Sequence, residues 1–205
     1  WKTALTNKYT NIHYWYWVSN GKLLEYFGYS TGFAVPSGVT EISSGAFSRS
    51  PQMNAITISE TVTTIPASTF DALKSLTAIN VNANNTTFKS DGGVLYTKDG
   101  KTLIRYPIAK SGTSFTVPST VTTIGYSAFY KNANLTKVVM NSPVAVIDEY
   151  AFDASHLTAI DIPSSVTTVK KYAFGSINGT ISKVTIRVPD TTVDSTAFSG
   201  DTITD

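Results

Sequence analysis

The sequence predicts a mainly β repeat solenoid with short turns or helical stubs, and its composition and internal repetition both point to this fold. The chain has 205 residues, the length of one large domain or one short repeat array. Thr and Ser together make up 54 of them, whereas only 15% are charged. Threonine is β-branched, favours strands and keeps a surface polar without charge. With 41% hydrophobic residues, the chain can also bury a core, which argues against bulk disorder.

The repetition is a nine-residue frame, Val-x-x-Ile-x-x-x-Ala-Phe, with an aliphatic residue five positions before a phenylalanine. Its six copies end at Phe47, Phe70, Phe129, Phe152, Phe174 and Phe198, at spacings of 23, 59, 23, 22 and 24 residues. A single copy cannot bury its own apolar face, but stacked copies join these positions into continuous ladders. We therefore expect the six rings to form a single internal column along the convex side of the solenoid.

A second motif, apolar-x-x-apolar-x-apolar, follows the frame and supplies the strand of each coil. Leu76–Val81 and Leu157–Ile162 are clear examples. The last three positions alternate, so two apolar residues face inward around one exposed residue. Pro163 then stops the strand and turns the chain. This is the strand pattern of a leucine-rich repeat, in coils of about 23 residues.

The 59-residue spacing contains one ordinary step and 36 additional residues. Within them, Asp99-Gly100 separates two alternating segments, 94–97 and 102–106. This arrangement is a strong signal for a β-hairpin. We expect the insert, at about residues 82–114, to stand out from the solenoid as a hairpin and to carry an extra coil with it.

The frame, the Leu-Thr-x-Ile-x-Ile-Pro strand and the insert beginning Asp91-Gly-Gly-Val-Leu-Tyr resemble the BspA-type leucine-rich repeats over about residues 33–200. The resemblance implies a right-handed solenoid on secreted or surface-anchored proteins, mostly of gut and oral bacteria. It also implies adhesion or protein binding, with host matrix proteins among the proposed ligands. Because the family motif is structural, the resemblance assigns no binding role to any residue of this chain.

Residues 1–32 fall outside the resemblance and form a second predicted hairpin around Asn20-Gly21. Alternation places Trp15 and Trp17 on one face of its first strand. Because an open solenoid end exposes its core, we expect residues 1–32 to form a cap, followed by the solenoid at 33–205. The alternative is that the tryptophan face stays exposed and stacks on sugars or docks a partner.

Several kinds of chemistry are disfavoured by what the chain contains. It has no cysteine, which excludes disulfides, thiol catalysis and Cys-based zinc sites, and its formal charge of +2 includes no basic cluster for nucleic acid. His13 and His156 stand apart, and the paired acids Asp148-Glu149 are replaced by unrelated residues in other copies. We therefore predict no enzyme activity, no metal and no cofactor.

Membrane insertion is not expected within this segment, because no apolar run approaches the roughly 18 residues of a membrane span. The sequence starts at Trp1 rather than Met. We therefore expect that an upstream segment with an export signal has been removed, and that the protein is extracellular or on the cell surface.

The remaining candidates for function are exposed surfaces. The sequence predicts a non-enzymatic extracellular adhesion module that binds a host or bacterial protein through its repeat surface. Carbohydrate binding through the N-terminal aromatic hairpin, or a role as the structural stalk of a larger surface protein, are the alternatives. The candidate partner-binding residues are Trp15, Trp17, Asn80, Tyr96, Arg105, Tyr106, Lys137, Val139, Asp161 and Lys183.

Overall fold

The computed structural model describes residues 16–140, 143–177, 181–189 and 192–199. They form a mainly β solenoid of about seven turns, which confirms the predicted fold class. Within the described residues no helix is long and apolar enough to cross a membrane.

The described part of the chain contains sixteen short strands and one 3-10 helix, joined by turns. The helix spans Ala67–Phe70. The strands are β1 Tyr16–Ser19, β2 Lys22–Tyr26, β3 Gly32–Ala34, β4 Glu41–Ile42, β5 Ala55–Ile58, β6 Ala78–Val81, β7 Phe88–Asp91, β8 Val94–Thr97, β9 Thr102–Arg105, β10 Ser114–Thr116, β11 Thr123–Ile124, β12 Lys137–Val139, β13 Val146–Ile147, β14 Ala159–Ile162, β15 Thr168–Val169 and β16 Lys183–Ile186.

The strand motif of each coil pairs in parallel with the same motif of its neighbours. It builds two sheets, β3-β5-β6 and β10-β12-β14-β16. The register places Ala55 beside Ala78, one coil of 23 residues later, and Ala159 beside Lys183. The Val-x-x-Ile pieces of the frame form a second row of short parallel strands, in which β15, β13 and β11 are neighbours.

Threonine hydroxyls connect successive coils at the edges of these strands. Thr77 Oγ1 donates to the carbonyl of Asn54 at 2.9 Å, and Thr136 and Thr158 make the same bond to the preceding coil at 3.2 and 3.3 Å. Each hydroxyl supplies one local hydrogen bond without adding charge. This repeated bond gives a physical reason for the high threonine content.

The insert is part of the solenoid wall rather than a projecting hairpin. Strands β7, β8 and β9 are antiparallel, with a turn at Asp99-Gly100 as predicted, and β9 then pairs in parallel with β11. Leu95 of β8 is buried among the coils that precede it, whereas Val94 and Tyr96 are buried among the coils that follow. Alternate side chains of this strand therefore pack into two different cores. This packing is why the insert cannot project away from the solenoid.

This strand also divides the expected column of phenylalanines. Phe129, Phe152, Phe174 and Phe198 stack at centroid distances of 4.8, 5.0 and 5.0 Å, with interplanar angles of 9° or less. Phe47 and Phe70 belong to the other core, on the far side of β8. The prediction of one continuous column is correct for four rings and wrong for the whole set.

Candidate functional site

The predicted surface residues lie on three separate parts of the solenoid. Lys137, Val139, Asp161 and Lys183 belong to the sheet β10-β12-β14-β16, where Val139 is half-buried and the other three are exposed. Asn80 is exposed on the other parallel sheet, and Trp17 is 36% exposed on β1. Trp15 lies outside the described residues. The structure therefore brings four of the ten candidates together.

Three candidates of the insert are buried, and their prediction as partner contacts is corrected. Tyr96, Arg105 and Tyr106 are 3%, 1% and 2% exposed. Tyr96 and Tyr106 fill the core that follows the insert, and the Tyr106 ring stacks on Phe129 at 5.3 Å. Burial raises the pKa of Tyr96 to about 12. A partner cannot reach side chains that lie between two packed halves of the solenoid.

Arg105 joins the two halves of the solenoid from inside. Its Nη1 lies 3.0 Å from Asp71 Oδ1 in the coils before the insert and donates to the carbonyl of Ser127, at 2.9 Å, in the coils after it. Its Nε and Nη2 have no hydrogen-bond partner among the described residues. Burial lowers the pKa of Arg105 and raises that of Asp71, even though the two charges attract each other. The guanidinium therefore connects the two halves at a large desolvation cost.

Three partly exposed tyrosines form a row on the surface of the described part of the chain. Tyr126, Tyr150 and Tyr172 lie on successive coils, with ring centroids 5.6 and 5.3 Å apart. Tyr126 is 44% exposed, and the other two are half-buried. Tyrosine presents a large, rigid contact area with a polar tip, and it is enriched among the residues that dominate interface energetics.

Charged pairs run beside this tyrosine row in the same coil-to-coil direction. Lys170 Nζ lies 2.9 Å from Asp148 Oδ1, and Lys171 Nζ lies 3.7 Å from Glu149 Oε2. The hydrogen bond to Asp148 raises the pKa of Lys170. Partial burial, with Tyr150 and Glu149 nearby, raises the pKa of Tyr126, so its hydroxyl stays protonated and can donate a hydrogen bond at neutral pH. The surface thus offers aromatic rings, donors and acceptors side by side.

The backbone that carries two of these tyrosines is unusual. Tyr150 and Tyr172 have φ values of +57° and +55°, and Ser127 occupies the same turn position at +52°. For a residue with a Cβ, this left-handed conformation costs of the order of 1 kcal/mol, and Gly or Asn would adopt it more readily. A bulky aromatic residue at this position twice in succession suggests that the side chain serves a purpose other than forming the turn.

Sequence reasoning missed the tyrosine row because the copies are not in perfect register. Tyr150 and Tyr172 precede their phenylalanines by two positions, whereas Tyr126 precedes Phe129 by three. Aligned column by column, these positions look variable. Only the physical stacking of the coils shows that the three rings are neighbours.

The titratable side chains near the tyrosine row are dispersed or paired with lysines. No group of three His, Cys, Asp or Glu side chains that could hold a metal ion occurs within the described ranges. His156 is half-buried. Asp148 and Glu149, the adjacent acids of the sequence, pair with lysines of the next coil.

Comparisons with known proteins agree with this description. A search of curated protein sequences gave no match. The structure of a leucine-rich repeat protein from Eubacterium ventriosum is similar to this chain, with 30% sequence identity and a TM-score of 0.64. The match covers 74% of this chain and 42% of the Eubacterium chain. The structure of the pneumococcal vaccine antigen PcpA has 25% sequence identity and a TM-score of 0.61. That match covers 75% of this chain and 46% of the PcpA chain. The matched region is therefore less than half of either structure.

The model of the BspA type leucine rich repeat region matches six copies, in residues 26–92 and 109–204. These two ranges contain most of the solenoid coils described above, including every phenylalanine of the frame. The chain belongs to the BspA-type leucine-rich repeat family.

Proposed function

We propose that this chain is a non-enzymatic protein-binding module of an extracellular or cell-surface bacterial protein. Its contact surface is the tyrosine row Tyr126, Tyr150 and Tyr172 with the charged pairs beside it. The observation that carries the proposal is the alignment of three partly exposed rings on successive coils of a rigid array. Its partner is a protein surface with apolar side chains and charges of both signs.

The rigidity of the solenoid supports this function. The phenylalanines that end each tyrosine-bearing turn are stacked in the core, and Phe129 and Phe152 are at most 1% exposed. The backbone N–H of Phe129 donates to Ala151 of the next coil at 2.7 Å, and Phe152 donates to Ala173 at the same distance. Side chains held by such a framework lose little conformational freedom on binding, which favours affinity.

The extracellular setting is part of the same proposal. Membership of the BspA-type family and the similarity to a pneumococcal vaccine antigen support it. The chain also contains no cysteine, and it folds around stacked coils that need no oxidative step. The exposed surface obtains its polarity largely from threonine and serine.

Binding to immobilised host extracellular-matrix proteins, measured by surface plasmon resonance, tests the proposal. We expect at least one matrix protein to bind wild type, and the double variant Tyr150→Ala/Tyr172→Ala to bind it at least tenfold more weakly. Tyr29→Ala is the matched control, because Tyr29 is 90% exposed and lies outside the row. Circular dichroism establishes that each variant is folded.

Three results would contradict the proposal. Equal binding by wild type and the double variant would show that the tyrosines are not the contact. Binding to a glycan array that disappears in Trp15→Ala/Trp17→Ala would favour the carbohydrate-binding alternative. The absence of binding in both assays would favour the structural stalk.

A further inference from the structure

The insert interrupts the row of parallel coil strands and so creates two sheet edges inside the solenoid. Strand β6 is the last strand of the first parallel sheet, and β10 is the first strand of the second. An edge strand presents a row of unpaired N–H and C=O groups, and this row is a template for pairing with another chain. The two edges differ in whether the protein itself covers them.

The edge of β6 is covered by the insert. The N–H of Ile79 donates to the carbonyl of Gly93 at 2.9 Å, and the N–H of Val81 donates to Ser90 Oγ at 3.0 Å. Both acceptors lie in or beside the turn that joins β7 to β8. The first sheet therefore ends against backbone and side-chain groups of the same chain.

The edge of β10 is open. The carbonyl of Thr113 and the N–H of Val117 both bond to the coil that contains β12, at 3.1 and 2.9 Å. Backbone groups of a strand alternate between its two sides, so the N–H and C=O groups of Ser114 and Thr116 point the other way. On that side they have no hydrogen-bond partner among the described residues. Both residues are exposed.

The apolar residue between them is also incompletely covered. Phe115 is half-buried. The residues at the same position in β5, β6, β12 and β14 are at most 6% exposed, and they are Ile56, Ile79, Val138 and Ile160. Each of these four has a strand or the insert on both sides, whereas Phe115 has a strand on one side only. The open edge therefore lacks an apolar side chain next to Phe115.

A lysine lies close to the same edge. Lys137 is opposite Ser114 in the register of β10 and β12 and is exposed. It forms no ion pair within the described part of the chain. Ser114 is small, and the four-carbon stem of lysine can span the strand spacing of about 4.8 Å. A carboxylate beyond Ser114 would therefore be attracted to Lys137.

We propose that the open edge of β10 binds an extended segment of a partner protein, which pairs in parallel with β10. The segment carries an apolar residue next to Phe115 and an acidic residue next to Ser114. In such strand addition, main-chain hydrogen bonds give affinity and alternate side chains give specificity. Because coils precede and follow β10, a single segment fits beside it, whereas a second solenoid would collide with the first array. This contact is separate from the tyrosine row, which lies on the turns after β11, β13 and β15.

Amide hydrogen exchange of the ¹⁵N-labelled full chain, followed by NMR, tests the proposal. In the free protein we expect fast exchange at the N–H groups of Ser114 and Thr116 and slow exchange at Phe115, which is bonded to β12. The probe is a capped peptide copy of residues 76–82, Leu-Thr-Ala-Ile-Asn-Val-Asn, whose isoleucine would lie next to Phe115. It should slow exchange at both open N–H groups, with half-saturation below about 1 mM.

Two substitutions in the protein separate main-chain pairing from other contacts. Thr116→Pro removes an N–H that points away from β12, at an edge position where proline is tolerated, and should weaken peptide binding about tenfold. Thr116→Ala keeps this N–H and is the matched control, so it should bind like wild type. Replacing the alanine of the peptide with glutamate should strengthen binding about two- to fivefold, and Lys137→Ala should abolish this gain.

A modified peptide gives the same test without altering the protein. In the parallel register the N–H of its isoleucine donates to β10, so methylation of that nitrogen should abolish binding, whereas methylation at the following asparagine should not. Slow exchange at Ser114 and Thr116 in the free protein would overturn the proposal, because the edge would already be covered. Absence of binding at about 1 mM, or equal binding by Thr116→Pro and Thr116→Ala, would also overturn it. Circular dichroism verifies that the variants are folded.

Discussion

Replacing Arg105 with methionine should leave the protein as stable as wild type or make it up to about 2 kcal/mol more stable. Arg105 is 1% exposed, and its Nε and Nη2 lack hydrogen-bond partners among the described residues. Each buried unsatisfied donor costs about 1–3 kcal/mol, and methionine removes both. The losses are the ion pair to Asp71, about 1.5–3 kcal/mol, the bond to the Ser127 carbonyl, about 1 kcal/mol, and a weak cation–π contact with the Tyr130 ring at 6.0 Å.

The solvent exposure of Asp71 makes this exchange favourable. Its side chain is 33% exposed although Oδ1 itself is buried, so the carboxylate can regain water through its exposed part when its partner is removed. Methionine also occupies much of the volume of the arginine stem and fills irregular gaps. Removing one member of a fully buried ion pair is strongly destabilising, but Asp71 is only partly buried, so this penalty is reduced here. In contrast, Arg105→Ala removes the same charges and also leaves a cavity, which should cost about 2–4 kcal/mol.

Thermal unfolding followed by circular dichroism separates these two outcomes. For a chain of this size, 1 kcal/mol shifts Tm by about 2–4 °C. We therefore expect Tm to change by between 0 and about +8 °C in Arg105→Met, and to fall by about 4–16 °C in Arg105→Ala. A loss of more than about 4 °C in Arg105→Met would refute the reasoning, because it would show that the ion pair contributes net stability.

The pH dependence supplies an independent check with a definite sign. Burial raises the pKa of Asp71 in the folded protein, so its penalty on stability is present at high pH and disappears as pH falls through the carboxyl's pKa. Without Arg105 this pKa should rise further, because the cation that lowers it is absent. The stability of Arg105→Met relative to wild type should therefore increase as the pH is lowered from 7 towards 4.

Three other substitutions test the packing. Phe152→Ala should cost about 3–5 kcal/mol by calorimetry, because the ring is fully buried in the stack, and half-buried Phe198→Ala about half as much. Asn85→Ala should cost at least about 3 kcal/mol in urea unfolding, since its buried side chain makes four hydrogen bonds to the backbone. Gly125→Ala should lower Tm, because its Cβ would lie 2.8 Å from the carbonyl oxygen of Leu103. A stability equal to wild type in any of these would contradict the contact concerned.

The coils could be predicted from sequence because their physical cause is periodic. A strand that buries alternate residues and a turn that buries one phenylalanine repeat every 22–24 residues, and neighbouring copies reinforce the same pattern. The insert offers no such repetition. Its alternating polar and apolar residues resemble those of an exposed hairpin, so Tyr96, Arg105 and Tyr106 were predicted to be exposed. The second core that buries their other face is formed by residues distant in the chain.

The surface was harder to predict than the core for a related reason. Exposed residues are not constrained by packing, so the repeat frame does not indicate which of them matter. The tyrosine row depends on a one-residue offset between copies, and its significance appears only when the coils are stacked. The junction between the two cores likewise became visible only in the structure, because sequence alone did not identify the insert as a boundary.

The internal junction suggests how arrays of this kind can be extended without exposing a core. Strand β8 directs Leu95 to the preceding array and Val94 and Tyr96 to the following one, so a single hairpin ends one stack of coils and begins the next. The end of each array then packs against the hairpin, and its side chains do not have to fit those of the neighbouring array. The N-terminal hairpin has a bulge at the equivalent position, and its second strand also pairs in parallel with the next coil, so the first array begins in the same way as the second.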